Sequence, residues 1–174
     1  SLVQAMYNGM LNDRFREIAL QPEAPFLSAS SSKGNFVGRM DVYALSASVE
    51  EGGVEEGIGA VLTEAERVVR FGFTESELER EKVSQLRGID QALRARADRS
   101  SSSYAQEYTR AFLDGESIPG IEYEYELYQR FVPEITLEAV NAVAREWIGD
   151  ANRVVLVTGP ESATAPLPDE DALA

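Results

Sequence analysis

The segment RMDVYALSASV, residues 39–49, decides the fold class of this chain. Its apolar residues fall on every second position, at Tyr43, Leu45, Ala47 and Val49. Ser46 and Ser48 lie between them and face the opposite way, because side chains alternate across a strand. One apolar face and one polar face are typical of a half-buried antiparallel strand. The sequence therefore predicts a sheet.

Helical periodicity dominates on both sides of that strand. Apolar residues recur at spacings of three and four, which indicates amphipathic helices. The segments with this pattern are Val3–Leu20, Val54–Val69, Thr74–Leu93, Ser103–Asp114, Ile121–Phe131 and Thr136–Ile148. Gly72 predicts a left-handed residue at the end of the second helix, and a Thr74-x-x-Glu77 capping box predicts the start of the third. Ser103 with Gln106 predicts another capping box at the start of the fourth.

Two further extended segments complete the predicted order. Phe26–Lys33 is short and rich in serine, and Arg153–Thr158 carries consecutive apolar residues that predict a strand buried on both faces. When a strand precedes the first helix, the order becomes the β-α-β-β-α-β order of a ferredoxin-like fold with extra helices. We expect an α/β (α+β) fold with a mostly antiparallel sheet, whose opening strand is missing ahead of Val3. Residues 1–160 are predicted to form a single α/β domain, and 161–174 a linker or disordered tail.

The composition excludes several classes of site. The chain of 174 residues contains no histidine and no cysteine. It therefore has no Cys/His zinc site, no thiolate or imidazole nucleophile, no Ser-His-Asp triad and no disulfide framework. A net charge of −14 argues against nucleic acid as a partner, since phosphate binding needs a basic patch. No apolar run approaches the ~20 residues of a membrane span, so we expect none.

Four segments, in their order and spacing, resemble the insulinase/pitrilysin family of zinc metallopeptidases, which are inverzincins. They are Met10-Leu11-Asn12-Asp13-Arg14-Phe15-Arg16-Glu17, Gly72-Phe73-Thr74-Glu75-Ser76-Glu77-Leu78-Glu79-Arg80-Glu81-Lys82, Pro133-Glu134-Ile135-Thr136-Leu137-Glu138-Ala139-Val140 and Asn152-Arg153-Val154-Val155-Leu156-Val157. The resemblance is to the non-catalytic domain that follows the catalytic domain, and it runs to about Glu161. In that family the catalytic domain binds zinc through His-x-x-Glu-His. Because this chain has no histidine, the resemblance implies no catalytic residue, metal ligand or cofactor here, and zinc is expected in the upstream domain of the parent protein.

The resemblance implies a non-catalytic structural domain that buttresses the catalytic domain and forms part of the peptide chamber wall. The full-length parent is then expected to be a zinc metalloendopeptidase of the bacterial periplasm or cell envelope. Its expected partners are other domains of the same polypeptide and a peptide substrate. Two alternatives stay open. One is a domain of a catalytically inactive scaffold or peptide-binding homologue of the same superfamily, and the other is an unrelated ferredoxin-like binding module.

Five residues are candidate contacts with a neighbouring domain or a peptide. Arg94, Arg96 and Arg99 form a local basic patch, and Tyr123 and Tyr125 belong to an aromatic stripe. The plainer explanations are that cations favour a helix C-terminus and that aromatic residues usually pack in a core.

The first helix and the sheet edge carry two more expectations. Asp13 and Arg14 are expected either to pair with a partner domain or to face solvent. A sheet that lacks a strand presents unpaired N–H and C=O groups, which favours self-association through the truncated sheet edge.

Overall fold

A computed structural model describes residues 1–37, 40–115, 117–149, 151–160, 166–169 and 171–173. Within these ranges the helices are α1 (Leu2–Ala19), α2 (Val54–Phe71), α3 (Glu75–Arg94), α4 (Ser101–Asp114), α5 (Ile121–Phe131) and α6 (Leu137–Trp147). The strands are β1 (Ser28–Val37) and β2 (Met40–Ser48), and short 3₁₀ helices lie at Ala95–Asp98 and Asp171–Leu173. The α/β class with an antiparallel sheet is therefore confirmed.

The chain divides into two compact units. The first contains Ser1–Leu78 and Thr136–Ala174, and the second contains Glu79–Ile135. The prediction of a single domain over residues 1–160 stays a prediction. Half of the predicted tail at 161–174 lies outside the described residues, which there comprise 166–169 and 171–173.

The core of the first unit lies between α1 and its neighbours. Strands β1 and β2 pair antiparallel, with Ser31 opposite Leu45. Helix α1 packs against β1, α6 and α2. Its inward face consists of side chains that are at most 2% exposed, namely Met6, Tyr7, Met10, Leu11 and Phe15. The opposite face of the sheet carries small polar residues, and the hydroxyls of Ser30 and Ser46 lie 2.8 Å apart on it.

Helix α2 lies close to Val49 and to the backbone of Pro25 at one glycine, Gly57. A Cβ added to Gly57 would lie 2.3 Å from Cγ1 of Val49 and 3.3 Å from the carbonyl oxygen of Pro25. Only the absence of a side chain allows this contact. Gly59, two residues later in the same helix, has no atom within 4 Å of such a Cβ.

The second unit confirms most of the predicted helix boundaries. Ile121–Phe131 is a helix although its glutamates alternate as in a strand, and α4 ends at the left-handed Gly115. The predicted capping box at Ser103 and Gln106 is wrong. The cap is Ser100, whose hydroxyl accepts from the N–H of Ser103, so that α4 begins at Ser101. Four consecutive serines offered several capping oxygens, and the sequence pattern selected one that lies inside the helix.

The predicted buried strand at Arg153–Thr158 is not formed. No residue in the described parts of the chain pairs with this segment in a sheet. Val154 is 89% exposed and Leu156 is 83% exposed. A strand needs a partner for its backbone groups, so its apolar sequence alone does not place it in a sheet.

Candidate functional site

The guanidinium of Arg14 joins three helices of the first unit. Its Nη1 donates to Oε1 of Glu64 at 2.8 Å, and its Nε donates to Oε1 of Glu77 at 2.6 Å. Nη2 donates to Oε2 of Glu77 at 3.1 Å and to the carbonyl oxygen of Gly72 at 3.2 Å. The guanidinium also lies 4.8 Å from the ring centroid of Phe73. Helix α1, helix α2 and the first turn of α3 are thereby held together, and we call these residues the Arg14 cluster.

The turn between α2 and α3 is shaped to complete the Arg14 cluster. Gly72 ends α2 with a φ of 72°, and a Cβ there would lie 2.6 Å from Nδ2 of Asn141. The N–H of Phe73 donates to Oδ1 of Asn141 at 2.8 Å. The N–H and hydroxyl of Thr74 donate to Oε2 of Glu77 at 2.7 and 2.8 Å, and the N–H of Glu77 donates back to the hydroxyl. The predicted capping box is therefore confirmed.

Electrostatics favours the charged forms in the Arg14 cluster. Burial alone would raise the pKa of the Glu77 carboxyl, but hydrogen bonds from Arg14 and Thr74 outweigh it and lower that pKa to about 2. Burial would likewise lower the pKa of Arg14, while hydrogen bonds to Glu77 and Glu64 raise it above its usual value. Both groups are ionised at neutral pH and remain so well below it.

The Arg14 cluster has the chemistry of a structural clamp. All three nitrogens of Arg14 donate, both oxygens of Glu77 accept, and the second oxygen of Glu64 accepts from Arg67 at 2.9 Å. A carboxylate saturated by such donors is a poor general base. The expectation that Arg14 pairs with a partner domain or faces solvent is wrong, because its partners lie on α2 and α3 of this chain. Asp13 pairs at the surface with Arg16.

A second polar network ties α1 to both strands. The hydroxyl of Tyr43 lies 3.2 Å from that of Tyr7 and 3.0 Å from that of Ser31. The Ser31 hydroxyl donates to Oδ1 of Asn8 at 2.6 Å. Burial raises the pKa of both tyrosines, so both phenols stay protonated at neutral pH.

Asn12 binds the backbone of Ser31 from both sides of its amide. Its Oδ1 accepts from the N–H of Ser31 at 2.6 Å, and its Nδ2 donates to the Ser31 carbonyl at 3.1 Å. The side-chain amide therefore occupies the two backbone groups that a neighbouring strand would bind.

Trp147 belongs to an aromatic cluster in the first unit. Its ring centroid lies 5.4 Å from that of Tyr7 and 4.8 Å from that of Tyr43, and Lys33 lies 5.3 Å from the indole. Tyr7 also packs edge-on against Phe73. Trp147 thus takes part in the packing of the first unit.

The five candidate contact residues lie in the second unit, where each arginine already has an acidic partner. Arg94 pairs with Asp90 at 2.9 Å, Arg96 with Glu122 at 3.3 Å, and Arg99 with Glu107 at 2.6 Å. Arg99 also lies over the ring of Tyr104 at 4.6 Å. Tyr123 is 53% exposed, whereas Tyr125 is half-buried. The two tyrosines are two residues apart on α5 and therefore point in different directions.

The residues that the structure describes do not fit a zinc ion. The sequence contains no histidine or cysteine. Among the described residues, no three acidic side chains are grouped so as to hold a metal. Structural and catalytic zinc sites need three or four ligands from His, Cys, Asp or Glu side chains. In the same part of the chain, no helix combines the length and apolar character that crossing a membrane requires.

Sequence reasoning missed Glu64 and the Tyr7–Ser31–Tyr43 network. Glu64 is 5% exposed and lies on the apolar face of α2. A charged residue within an apolar face could have revealed this site from the sequence. Buried charges are almost always paired, so this position predicted a cationic partner without naming it.

Comparison with known proteins relates the chain to zinc proteases. No protein-family model matches it. A curated protein of Arabidopsis thaliana described as "Zinc protease PQQL-like" is 24% identical over 162 residues, which are 93% of this chain and 14% of that protein.

Solved structures of proteases have the same fold. The first half of the periplasmic protease PqqL from Escherichia coli matches 84% of this chain with a TM-score of 0.75 at 15% identity. The complete E. coli PqqL gives a TM-score of 0.72 at 17% identity over 84% of this chain, and a predicted insulinase family protease from Yersinia pestis gives 0.70 at 12% over 83%. This chain spans 31%, 16% and 31% of those three chains. The resemblance is thereby confirmed: the chain has the fold of one part of insulinase-family proteases, and its sequence is similar to part of a zinc protease.

Proposed function

We propose that this chain is a non-catalytic structural domain of a zinc-dependent metallopeptidase, in which it supports the catalytic domain and forms part of the peptide chamber wall. The observation that carries the proposal is the match of 93% of this chain to 14% of a zinc protease, in a sequence without histidine. A chain without imidazole cannot hold the zinc of such an enzyme in the usual way. Its contribution to activity is therefore made through packing.

The Arg14 cluster supports a structural role for this domain. Buried charges that are fully hydrogen-bonded hold their helices in one arrangement, because any other arrangement leaves a charge unpaired. A domain that supports an active site benefits from such a rigid frame. The carboxylates of the buried Glu64 and the half-buried Glu77 are both paired and give no sign of acid–base chemistry of their own.

The catalytic zinc is proposed to lie in another domain of the same polypeptide, on a His-x-x-Glu-His motif. The E. coli neighbour is a periplasmic protease, which supports the periplasm or cell envelope as the location. The alternative is a domain of an inactive scaffold or peptide-binding homologue, which would have the same fold as this chain.

The test compares the 174-residue chain with the longer natural polypeptide. We expect fluorogenic peptide turnover and one stoichiometric zinc in the longer protein, and neither in the short chain. The matched control replaces the Glu of the His-x-x-Glu-His motif by Gln, which should keep the zinc and abolish turnover. The alternative would be established by a longer protein that binds peptide, binds no zinc and does not hydrolyse the peptide. Turnover by the purified short chain would contradict the proposal.

Arg94, Arg96, Arg99, Tyr123 and Tyr125 remain proposed contacts with a neighbouring domain or with peptide. Arg94 has a side chain that is 78% exposed, and Tyr123 is 53% exposed, so both can reach a partner. In the longer protein, replacement of either by Ala should raise KM if it contacts peptide. If it contacts a domain, the change should lower the melting temperature of the longer protein and leave that of the short chain unchanged. No effect on either quantity would remove both roles.

A further inference from the structure

Helix α4 of the second unit carries a row of exposed aromatic side chains. Tyr104, Tyr108 and Phe112 are spaced by four residues, so they follow one another along one face of the helix. Their exposed fractions rise along the row, from 38% to 57% to 87%, and the adjacent Leu113 is 70% exposed. Single apolar residues are ordinary on a protein surface, whereas a contiguous apolar patch indicates an interaction site.

Contacts within the second unit hold the first part of this aromatic row in place. The rings of Tyr104 and Tyr108 lie 6.4 Å apart and are inclined by only 29°. Arg99 lies over the Tyr104 ring at 4.6 Å and pairs with Glu107 at 2.6 Å, so these two charges neutralise each other. A surface that is ordered before a partner arrives loses less conformational entropy on binding.

A row of small side chains lies beside the aromatic row. Ser101, Ala105 and Thr109 are exposed, and each precedes a member of the aromatic row by three residues. The hydroxyl of Thr109 donates to the carbonyl oxygen of Ala105 at 2.8 Å, so this donor stays satisfied when the surface is covered. In helix packing, a ridge of residues spaced by four fits a groove of the same spacing on another helix. Helix α4 presents both a ridge and a groove of that spacing.

We propose that α4 packs against α4 of a second copy of this chain, antiparallel and about a two-fold axis near Tyr108. The aromatic row is the same after reversal, because a ring stands at each of its three positions. Tyr108 then meets the partner's Tyr108, and Tyr104 meets the partner's Phe112. An isologous contact needs a self-complementary surface of this kind. The ridge of each copy enters the groove of the other, in the packing class whose helices cross at about −50°.

The size and the charge of the surface support a second copy as the occupant. At about 200 Å² for a whole side chain of this size, the exposed parts of the three aromatic residues and Leu113 amount to about 500 Å². A standard interface buries about 800 Å² on each partner, which the row approaches when the small residues beside it are added. Neither row contains a charged residue, so the surface does not select a charged partner. The inference involves no strand of the sheet and does not depend on peptidase activity.

Analytical ultracentrifugation of the 174-residue chain tests the association. We expect a reversible equilibrium between monomer and dimer, with a dissociation constant of about 10–100 µM. The net charge of −14 on each copy opposes association, so added salt should tighten the dimer by screening this repulsion. A chain that stays monomeric at about 1 mM overturns the proposal. A dimer that salt weakens overturns it as well, because its contact would be one between opposite charges.

Substitutions with a matched control assign the dimer to α4. Phe112→Asp and Tyr108→Asp should each raise the dissociation constant by about ten-fold or more. Both residues are exposed, so the circular dichroism spectrum of the monomer should stay unchanged. The control Phe71→Asp alters an aromatic residue at the end of α2 that is 81% exposed, and it should leave the dissociation constant unchanged. Equal weakening by Phe71→Asp and Phe112→Asp would contradict the assignment to α4.

Disulfide cross-linking tests the two-fold geometry, because the chain has no cysteine and each introduced one is unique. Tyr108→Cys should give a covalent dimer under mild oxidation. Tyr104→Cys alone should link about ten-fold more slowly or not at all, since its two copies lie about 12 Å apart along the helix axes, beyond the ~7 Å that a disulfide spans between Cα atoms. A mixture of Tyr104→Cys and Phe112→Cys chains should link readily. Efficient linking of Tyr104→Cys to itself overturns the antiparallel arrangement.

The longer natural polypeptide separates a second copy from another of its own domains as the occupant. We expect the longer protein to dimerise as well and to lose its dimer on Phe112→Asp. A longer protein that is monomeric overturns the proposal. Slower hydrogen exchange in its α4 than in the 174-residue chain would then identify another of its domains as the occupant.

Discussion

At the residue scale, Arg14 connects α1 to α2 and to the first turn of α3. Its side chain is 19% exposed, and its guanidinium pairs with the carboxylates of Glu64 and Glu77, whose side chains are 6% and 14% exposed. The sequence indicated the helix that carries Arg14 and the capping role of Glu77. It did not indicate their pairing, because residues separated by 63 positions meet only when three helices pack.

Replacement of Arg14 by Ala should lower the free energy of unfolding by about 2–4 kcal/mol, because Glu77 loses its cation and the buried Glu64 keeps only Arg67. Arg16→Ala is the matched control on the same helix. The side chains of Arg16 and of its partner Asp13 are 68% and 44% exposed. The free energy of unfolding should therefore fall by less than about 1 kcal/mol in this variant. Urea denaturation followed by circular dichroism measures both values. Similar losses for the two variants would show that the Arg14 cluster is not a clamp.

Glu77 should make stability depend on pH in acid. Its pKa is about 2 in the folded chain against an ordinary value of 4.5, so the folded state holds this proton less tightly than the unfolded state. The stabilisation is fully present above pH 4.5 and is lost as the pH falls from 4.5 towards 2. We expect it to be worth about 2–3 kcal/mol at neutral pH. The gap in unfolding free energy between wild type and Glu77→Gln should therefore narrow over that range, and a constant gap would contradict this origin.

At the element scale, helix ends depend on local residues, whereas a strand depends on a partner that is distant in sequence. Thr74 and Gly115 mark helix boundaries through local chemistry, and both were predicted from neighbouring residues. The start of α4 was placed wrongly, because four consecutive serines make the local signal ambiguous. The apolar run after α6 was predicted as a strand, but strand formation depends on a partner.

Two glycines of α2 offer a test of helix packing. Gly57→Ala places a methyl group 2.3 Å from Val49 and close to the Pro25 carbonyl, and it should destabilise the chain by about 1–3 kcal/mol. Gly59→Ala meets no atom within 4 Å and should stabilise it by about 0.5–1 kcal/mol through helix propensity. Thermal melting of the two variants measures the difference. A stabilising Gly57→Ala would mean that α2 does not approach the chain at this point.

At the scale of the whole molecule, the chain has the fold of one part of insulinase-family proteases and carries no histidine. The three solved relatives compared above are longer, and the chain spans 31%, 16% and 31% of them. We have proposed that the zinc chemistry of the parent lies outside this chain and that the domain acts through a rigid frame.

Removal of metal should leave the isolated chain unaffected. Because it offers no imidazole or thiolate and no grouped carboxylates among its described residues, we expect calorimetry to detect no zinc binding with sub-micromolar affinity. The melting temperature in EDTA should equal that in added zinc. A rise with zinc, together with one bound ion per chain by elemental analysis, would show a site that these residues do not predict.

The sequence by itself determined the α/β class and the positions of the six helices named above, to within a few residues at their ends. It also excluded histidine-dependent chemistry in this chain and carried the family resemblance. These properties follow from periodicity, local capping and residue types, all of which act over a few neighbouring positions. Tertiary structure alone decided that Glu64 and Glu77 meet at Arg14, that Asn12 closes the edge of β1 and that Val154–Val157 lies exposed. The physical reason is that ion pairs and strand ladders join residues distant in sequence, so their energy exists only after the elements have packed.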